Sequence, residues 1–177
     1  MVIHIFGAAG SGTTSLGIAL AKKLGFNHID VDDYYWLKTD IPFTVARKKE
    51  ERVALLKDAI ISKKNVIVSG AVCVWGDELI NLFDYVIKLE TPTPVRISRL
   101  KKREFERFKD RILEGGDMYN NHLRFIEWAS IYDYGGLDVR SNSLHNHWLK
   151  KINTKKIVLN GEKDTLDLVN EVLDFVK

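Results

Sequence analysis

The chain has 177 residues, 45% of them hydrophobic and 29% charged, with a formal net charge of +3. A chain of this size and composition buries a core of its own, which excludes intrinsic disorder and points to one domain. Its single cysteine, Cys73, excludes an intrachain disulfide or a cysteine-cluster zinc site, and no apolar run reaches the ~18 residues of a membrane span.

The amino end carries no basic leader, so the expectation is a cytoplasmic protein in a reducing compartment. Short apolar runs alternate with helical periodicity, the pattern of a parallel sheet with crossover helices. Residues 2–6 read as a strand running into glycines. Leu16, Leu20 and Leu24 then recur at i+4, and Gly25 stops that helix. Residues 26–30 form the second predicted strand, and Val53, Leu56 and Ile60 mark the next helix. Residues 66–68 are a nearly all-apolar strand, as expected when both faces are covered. A fourth strand spans 85–89, and Thr93-Pro94 opens the helix after it. From 115 to 153 the alternation stops. There Phe125, Ile126, Trp128 and Ala129 are expected in the core from one helix, and Leu144, Trp148 and Ile152 from another. Residues 157–159 are the fifth strand, followed by a helix with Leu166, Val169, Leu173 and Val176 on one side. The expected organisation is one domain, 1–177, with a core at 1–95 and 154–177 and a lid and helical insert at about 96–153.

The first strand and first helix are joined by Gly7-Ala8-Ala9-Gly10-Ser11-Gly12-Thr13-Thr14, with Ser15 following. The phosphate-binding loop G-x-x-x-x-G-K-[ST] occupies that context. Gly7, Gly10 and Gly12 permit the turns that aim backbone N–H groups at an anion, and the helix adds its positive end. Thr14 stands at the magnesium-ligand position. Thr13 stands at the lysine position, which removes a positive charge from the place where phosphoryl transfer occurs. Lys22 and Lys23 lie 8 and 9 residues beyond Thr14, ~12 Å along the helix, too far to replace it.

With that loop in place, the chain resembles the P-loop small-molecule and nucleotide kinases of the shikimate kinase and adenylate kinase type. The resemblance implies a five-stranded parallel sheet ordered 2-3-1-4-5, ATP and Mg2+ as cofactors, a mobile lid and a separate acceptor segment. It also implies that Asp30 lies near magnesium and that Asp32 meets the acceptor hydroxyl. If the second strand persists, Asp30 and Asp32 share a face, and Asp33 competes for either role. Leu159-Asn160-Gly161 is similar to the family's adenine-side loop. The Gly-Phe-Pro-Arg pattern of adenylate kinases is missing near residue 70, which argues against a nucleoside monophosphate as acceptor.

The segment 96–111 carries eight basic residues against three acidic ones, on a body that is slightly acidic elsewhere. Arg99, Arg103, Arg107 and Arg111 recur at i+4 and stay within ~120° of one helical face. Such a ladder could clamp phosphate oxygens, with Arg99 and Arg103 as catalytic candidates, or could pair locally as Arg103–Glu106 and Glu104–Arg107. Arg47, Arg52 and the backbone at Gly70 are expected on the acceptor side, where the arginines would suit an anionic substrate. Asp117 and Arg140 are weaker candidates. His145 and His147 sit two apart on a helix and make a poor metal pair. The expected function is ATP-dependent phosphoryl transfer to a nucleoside, nucleotide or hydroxylated metabolite, or else a nucleotide-binding protein that has lost catalysis. No nucleic-acid or membrane partner is expected, because acids interrupt the basic run.

Overall fold

A computed structural model describes all 177 residues. Strands β1 (Val2–Gly7), β2 (Asn27–Asp30), β3 (Val66–Ser69), β4 (Tyr85–Glu90) and β5 (Lys155–Asn160) form one all-parallel sheet in the order β2-β3-β1-β4-β5. The register pairs Ile5 with Ser69 and Ile87, and Glu90 with Asn160, so the strand ends align along one carboxyl edge. Ligands in open α/β sheets bind at that edge.

Side-chain alternation along β1 divides the core. Ile3 and Ile5 meet α1 (Thr13–Leu24) and α7 (Thr165–Phe175) through Leu16, Leu20, Val169 and Val172. Phe6 faces the other side, where α3 (Lys49–Ile61) contributes Val53, Leu56 and Ile60. Strand β3 is buried at every position, in keeping with its all-apolar run. No helix is long and apolar enough to cross a membrane.

The helical stretch differs from expectation in how it divides. Helices α4 (Thr93–Phe108) and α5 (Tyr119–Ser130) pack on each other beyond the carboxyl edge. Of the residues expected in the core from α5, Ala129 is buried, whereas Phe125, Ile126 and Trp128 are half-buried. Helix α6 (Asn142–Lys150) instead belongs to the sheet. Trp148 and Ile152 are fully buried, and the Trp148 ring lies 5.2 Å from Phe6 and 5.8 Å from His4. Lys88 of β4 fastens the helix from inside: its buried ammonium donates to Glu90, Asn142 and Asn146 at 2.6–2.7 Å. A lysine inside an otherwise apolar strand is tolerated because all three of its protons find oxygen. On α7, Leu166 is 75% exposed and Leu168 takes the core position. Leu168, Val169 and Val172 form the buried stripe of the helix, and Leu166, two residues before Leu168, falls on the opposite face.

Candidate active site

The glycine loop crosses from β1 to α1 with Gly10 and Gly12 at φ 81° and 101°. Those values favour glycine, and the loop is also crowded from behind. A Cβ on Gly7 would stand 2.7 Å from the Leu89 carbonyl oxygen, and one on Gly10 2.7 Å from the Arg96 carbonyl oxygen. The Ser11 hydroxyl is buried on that crowded side against Gly7, without a partner, while on the open side the amides of Gly10, Gly12, Thr13, Thr14 and Ser15 donate to no acceptor in the protein. These donors fit the phosphates of a nucleotide, which needs several convergent N–H groups at a helix start.

Thr14 and Asp30 come together. The Thr14 hydroxyl donates to one Asp30 carboxylate oxygen at 3.0 Å, and the other oxygen accepts the Asp32 amide at 3.0 Å. Hydroxyl and carboxylate oxygens of this kind suit Mg2+, which takes few protein ligands and keeps water and phosphate oxygen for the rest. Asp30 and Asp32 do not share a strand face, because β2 ends at Asp30. Asp32 starts the single-turn helix α2 (Asp32–Tyr35), turned by the bond that its amide makes to Asp30. The Asp32 carboxylate lies in the cleft, among protein groups but still open to water. Burial, then Asp30, push its pKa above the ordinary aspartate value, and Arg140 and Arg103 pull against that rise. Asp33 is exposed beside it.

The arginine ladder separates. Arg99 donates to the Gly161 carbonyl at 2.9 Å, and its Nη1 would lie 3.9 Å from a Cβ on Gly12, so it stands over the phosphate loop. Arg103 turns toward Asp32, with its Nε buried and unpartnered and its acidic contact Glu104 rather than Glu106. Arg107 is exposed and makes no ion pair with Glu104. Arg111 leaves the face altogether, because Lys109 at φ 49° ends the helix. It grips Asp117 at 2.7 Å and the Asp40 carbonyl at 3.3 Å. Asn160 closes a turn onto the Glu162 amide. Gly161 packs so tightly against Thr91 and the Ser11 carbonyl that a side chain would not fit, which seats the turn after β5 on the glycine loop.

Of the residues expected on the acceptor side, Arg52 lies over the Tyr35 ring at 4.0 Å and the Trp75 ring at 4.9 Å, and Arg47 pairs with Glu51 at 2.9 Å. Each leaves its Nε buried without a partner. Gly70, at φ 108°, donates its amide to Ile5 and leaves no room for a Cβ against Val31. The stacking of Arg52 on Tyr35 and Trp75 was not visible in the sequence, since the three residues come from separate elements. Arg140 lies over the Trp128 ring at 5.6 Å and near enough to Asp32 to oppose the rise of its pKa, a relationship its loop position did not suggest. Of the two histidines, His145 is buried against Tyr132 and His147 is exposed.

Residues 3–122 match the AAA domain family. The chain belongs to that family. Within it, the sheet order and glycine loop are those of the P-loop small-molecule kinase fold. The chain is 42% identical over 174 residues to Uncharacterized protein YqaC of Bacillus subtilis (strain 168), covering 98% of this chain and 96% of that one. It is 28% identical over 159 residues to a cytidylate kinase of Pyrococcus abyssi (strain GE5 / Orsay), across 75% of this chain and 82% of the relative. A shikimate kinase from Bacteroides thetaiotaomicron superposes with a TM-score of 0.60 at 18% identity, over 99% of this chain and 98% of its own.

Proposed function

We propose that this protein is a magnesium-dependent kinase that moves the terminal phosphoryl group of ATP to a hydroxyl on a small anionic acceptor. The observation that carries the reading is the Thr14–Asp30–Asp32 chain of hydrogen bonds at the mouth of the glycine loop. It sets two carboxylates with different surroundings between the phosphate cradle and a group of arginines. When bound, ATP supplies the phosphoryl group and Mg2+ neutralises charge on its oxygens. The unpaired loop amides of Gly10, Gly12, Thr13, Thr14 and Ser15 would hold the phosphates. Thr14 and Asp30 would hold the metal ion, and Asp30 keeps Asp32 in place through the Asp32 amide. Asp32 would orient the acceptor hydroxyl and take its proton, for which a carboxylate of raised pKa is suited. Asn160 and Gly161 would border the base.

An anionic acceptor is favoured by the unpartnered Nε groups of Arg47, Arg52 and Arg103 and by the nearness of Arg140 to Asp32. Buried guanidinium donors without acceptors are unfavourable unless a ligand completes them. Asp33 and Gly70 would border the acceptor beside them. Arg99 and Arg103 would reach the transferring phosphoryl group when the lid closes and so answer for the lysine missing at Thr13. That same Thr13 favours a second reading, a nucleotide sensor without transfer. Incubation with ATP, Mg2+ and a panel of hydroxylated carboxylates, sugar phosphates and nucleosides separates the two. Transfer to an anionic member and not to its neutral counterpart supports the kinase, and tight ATP binding with no transfer supports the sensor.

A further inference from the structure

Arg96 is the one fully buried arginine, and it lies directly behind the glycine loop. Its Nε donates to the Thr91 carbonyl at 2.9 Å. Its Nη1 donates to the carbonyls of Ala9 at 3.3 Å and Ala129 at 3.2 Å, and its Nη2 to the Thr93 hydroxyl at 2.6 Å. The guanidinium also lies over the Tyr132 ring at 4.9 Å. Every hydrogen-bond acceptor is neutral. The only carboxylate nearby is Asp133, 3.7 Å from Nη2, 39% exposed and itself engaged by the Thr93 hydroxyl. The cation is therefore only weakly compensated inside the protein, and a strut between carbonyls does not by itself require a charge. What distinguishes the position is its neighbour: Ala9 belongs to the loop whose inner side would face phosphates, and that loop has Thr13 where a lysine would stand.

We propose that Arg96 is a positioning residue with an electrostatic task. From behind the loop it holds the Ala9 carbonyl outward and places on the phosphate site a fixed positive potential, in part replacing the charge absent at Thr13. A charge held in a desolvated site acts over the thickness of one peptide with little screening. The inference rests on the nucleotide-binding part of the kinase reading.

Calorimetric titration of ATP, ADP and AMP into wild-type, Arg96→Lys, Arg96→Gln and Asp133→Asn proteins tests it. A field acting on phosphates scales with ligand charge. Arg96→Gln should weaken ATP about tenfold and AMP about threefold, while Arg96→Lys keeps most of the ATP affinity. Asp133→Asn preserves an acceptor for Thr93 and removes the only counter-charge, so it should tighten ATP binding. Equal losses for the three nucleotides, Arg96→Lys no better than Arg96→Gln, or no gain in Asp133→Asn would overturn the electrostatic role. Should Arg96→Gln fail to fold, the lysine and Asp133 variants still decide. Wild-type protein that binds no nucleotide would instead overturn the kinase reading itself.

Discussion

The Thr14 hydroxyl reaches the Asp30 carboxylate at 3.0 Å, although 16 residues and an entire helix separate them in the chain. The contact joins the first turn of α1 to the end of β2, and its two residues are those that would hold the metal ion. Asp30→Asn should weaken the magnesium-dependent part of ATP binding by about 10–100-fold while leaving metal-free binding nearly unchanged. Titrations with and without Mg2+ measure both. Equal weakening in the two conditions would remove Asp30 from the metal site.

Asp32 carries a charge that folding disfavours. Its raised pKa means that the folded state binds the proton more tightly than the unfolded chain does. The associated stability is present at low pH and is lost as pH rises through the folded-state value. At neutral pH, Asp32→Asn should therefore raise the melting temperature while it lowers phosphoryl transfer by ~10²-fold or more and leaves ATP affinity within about twofold. A variant that is less stable and fully active would contradict both parts.

Two buried histidines give acid sensitivity of the opposite sign. Burial lowers the pKa of His4 and of His145 to about 3 from 6.5, so the unfolded chain binds protons that the folded protein excludes. Stability is complete above about pH 6.5 and falls as pH is lowered toward 3. Denaturant unfolding at pH 7.5 and pH 5 should show the loss, and His145→Gln should flatten it. A profile unchanged by that substitution would mean that other groups set the acid limb.

The glycine loop and the helix positions were legible because periodicity and spacing are local properties, whereas the sheet order, which is not local, came only from the resemblance to the P-loop kinases. Leu16 and Leu20 of the first helix and Val53, Leu56 and Ile60 of the next needed no tertiary knowledge to be read as one helical stripe. The place of α6 was not legible. Trp148 and Ile152 could be read as buried, but not that they return to the sheet, since Lys88 and its amide partners Asn142 and Asn146 lie more than 50 residues apart. The arginine ladder misled for a related reason. Its period assumed one straight helix, and the break at Lys109 sends Arg111 to Asp117. Arg96, which is not on the ladder, proved to be the arginine that touches the loop.

Trp148 tests the reassignment of α6. As a fully buried ring against Phe6, Trp148→Ala should cost about 3–5 kcal/mol in chemical denaturation. A cost below 1 kcal/mol would place α6 outside the folded core.

The Thr13 position poses the sharpest question about transfer. Loss of Arg99 or Arg103 should lower turnover by ~10³-fold if that arginine acts on the transferring group, and Thr13→Lys should restore part of it. In a double-mutant cycle the combined variant should then exceed the arginine variant alone. Strictly additive effects would separate the two positions.

The most direct test follows the labelled terminal phosphate of ATP in the presence of Mg2+ and a fractionated extract of small metabolites. The kinase reading requires label to appear on an anionic, hydroxyl-bearing compound with wild-type protein and to be lost with Asp32→Asn. Retention of all label on ATP, by a protein that binds ATP with magnesium, would contradict it and leave the nucleotide sensor in its place.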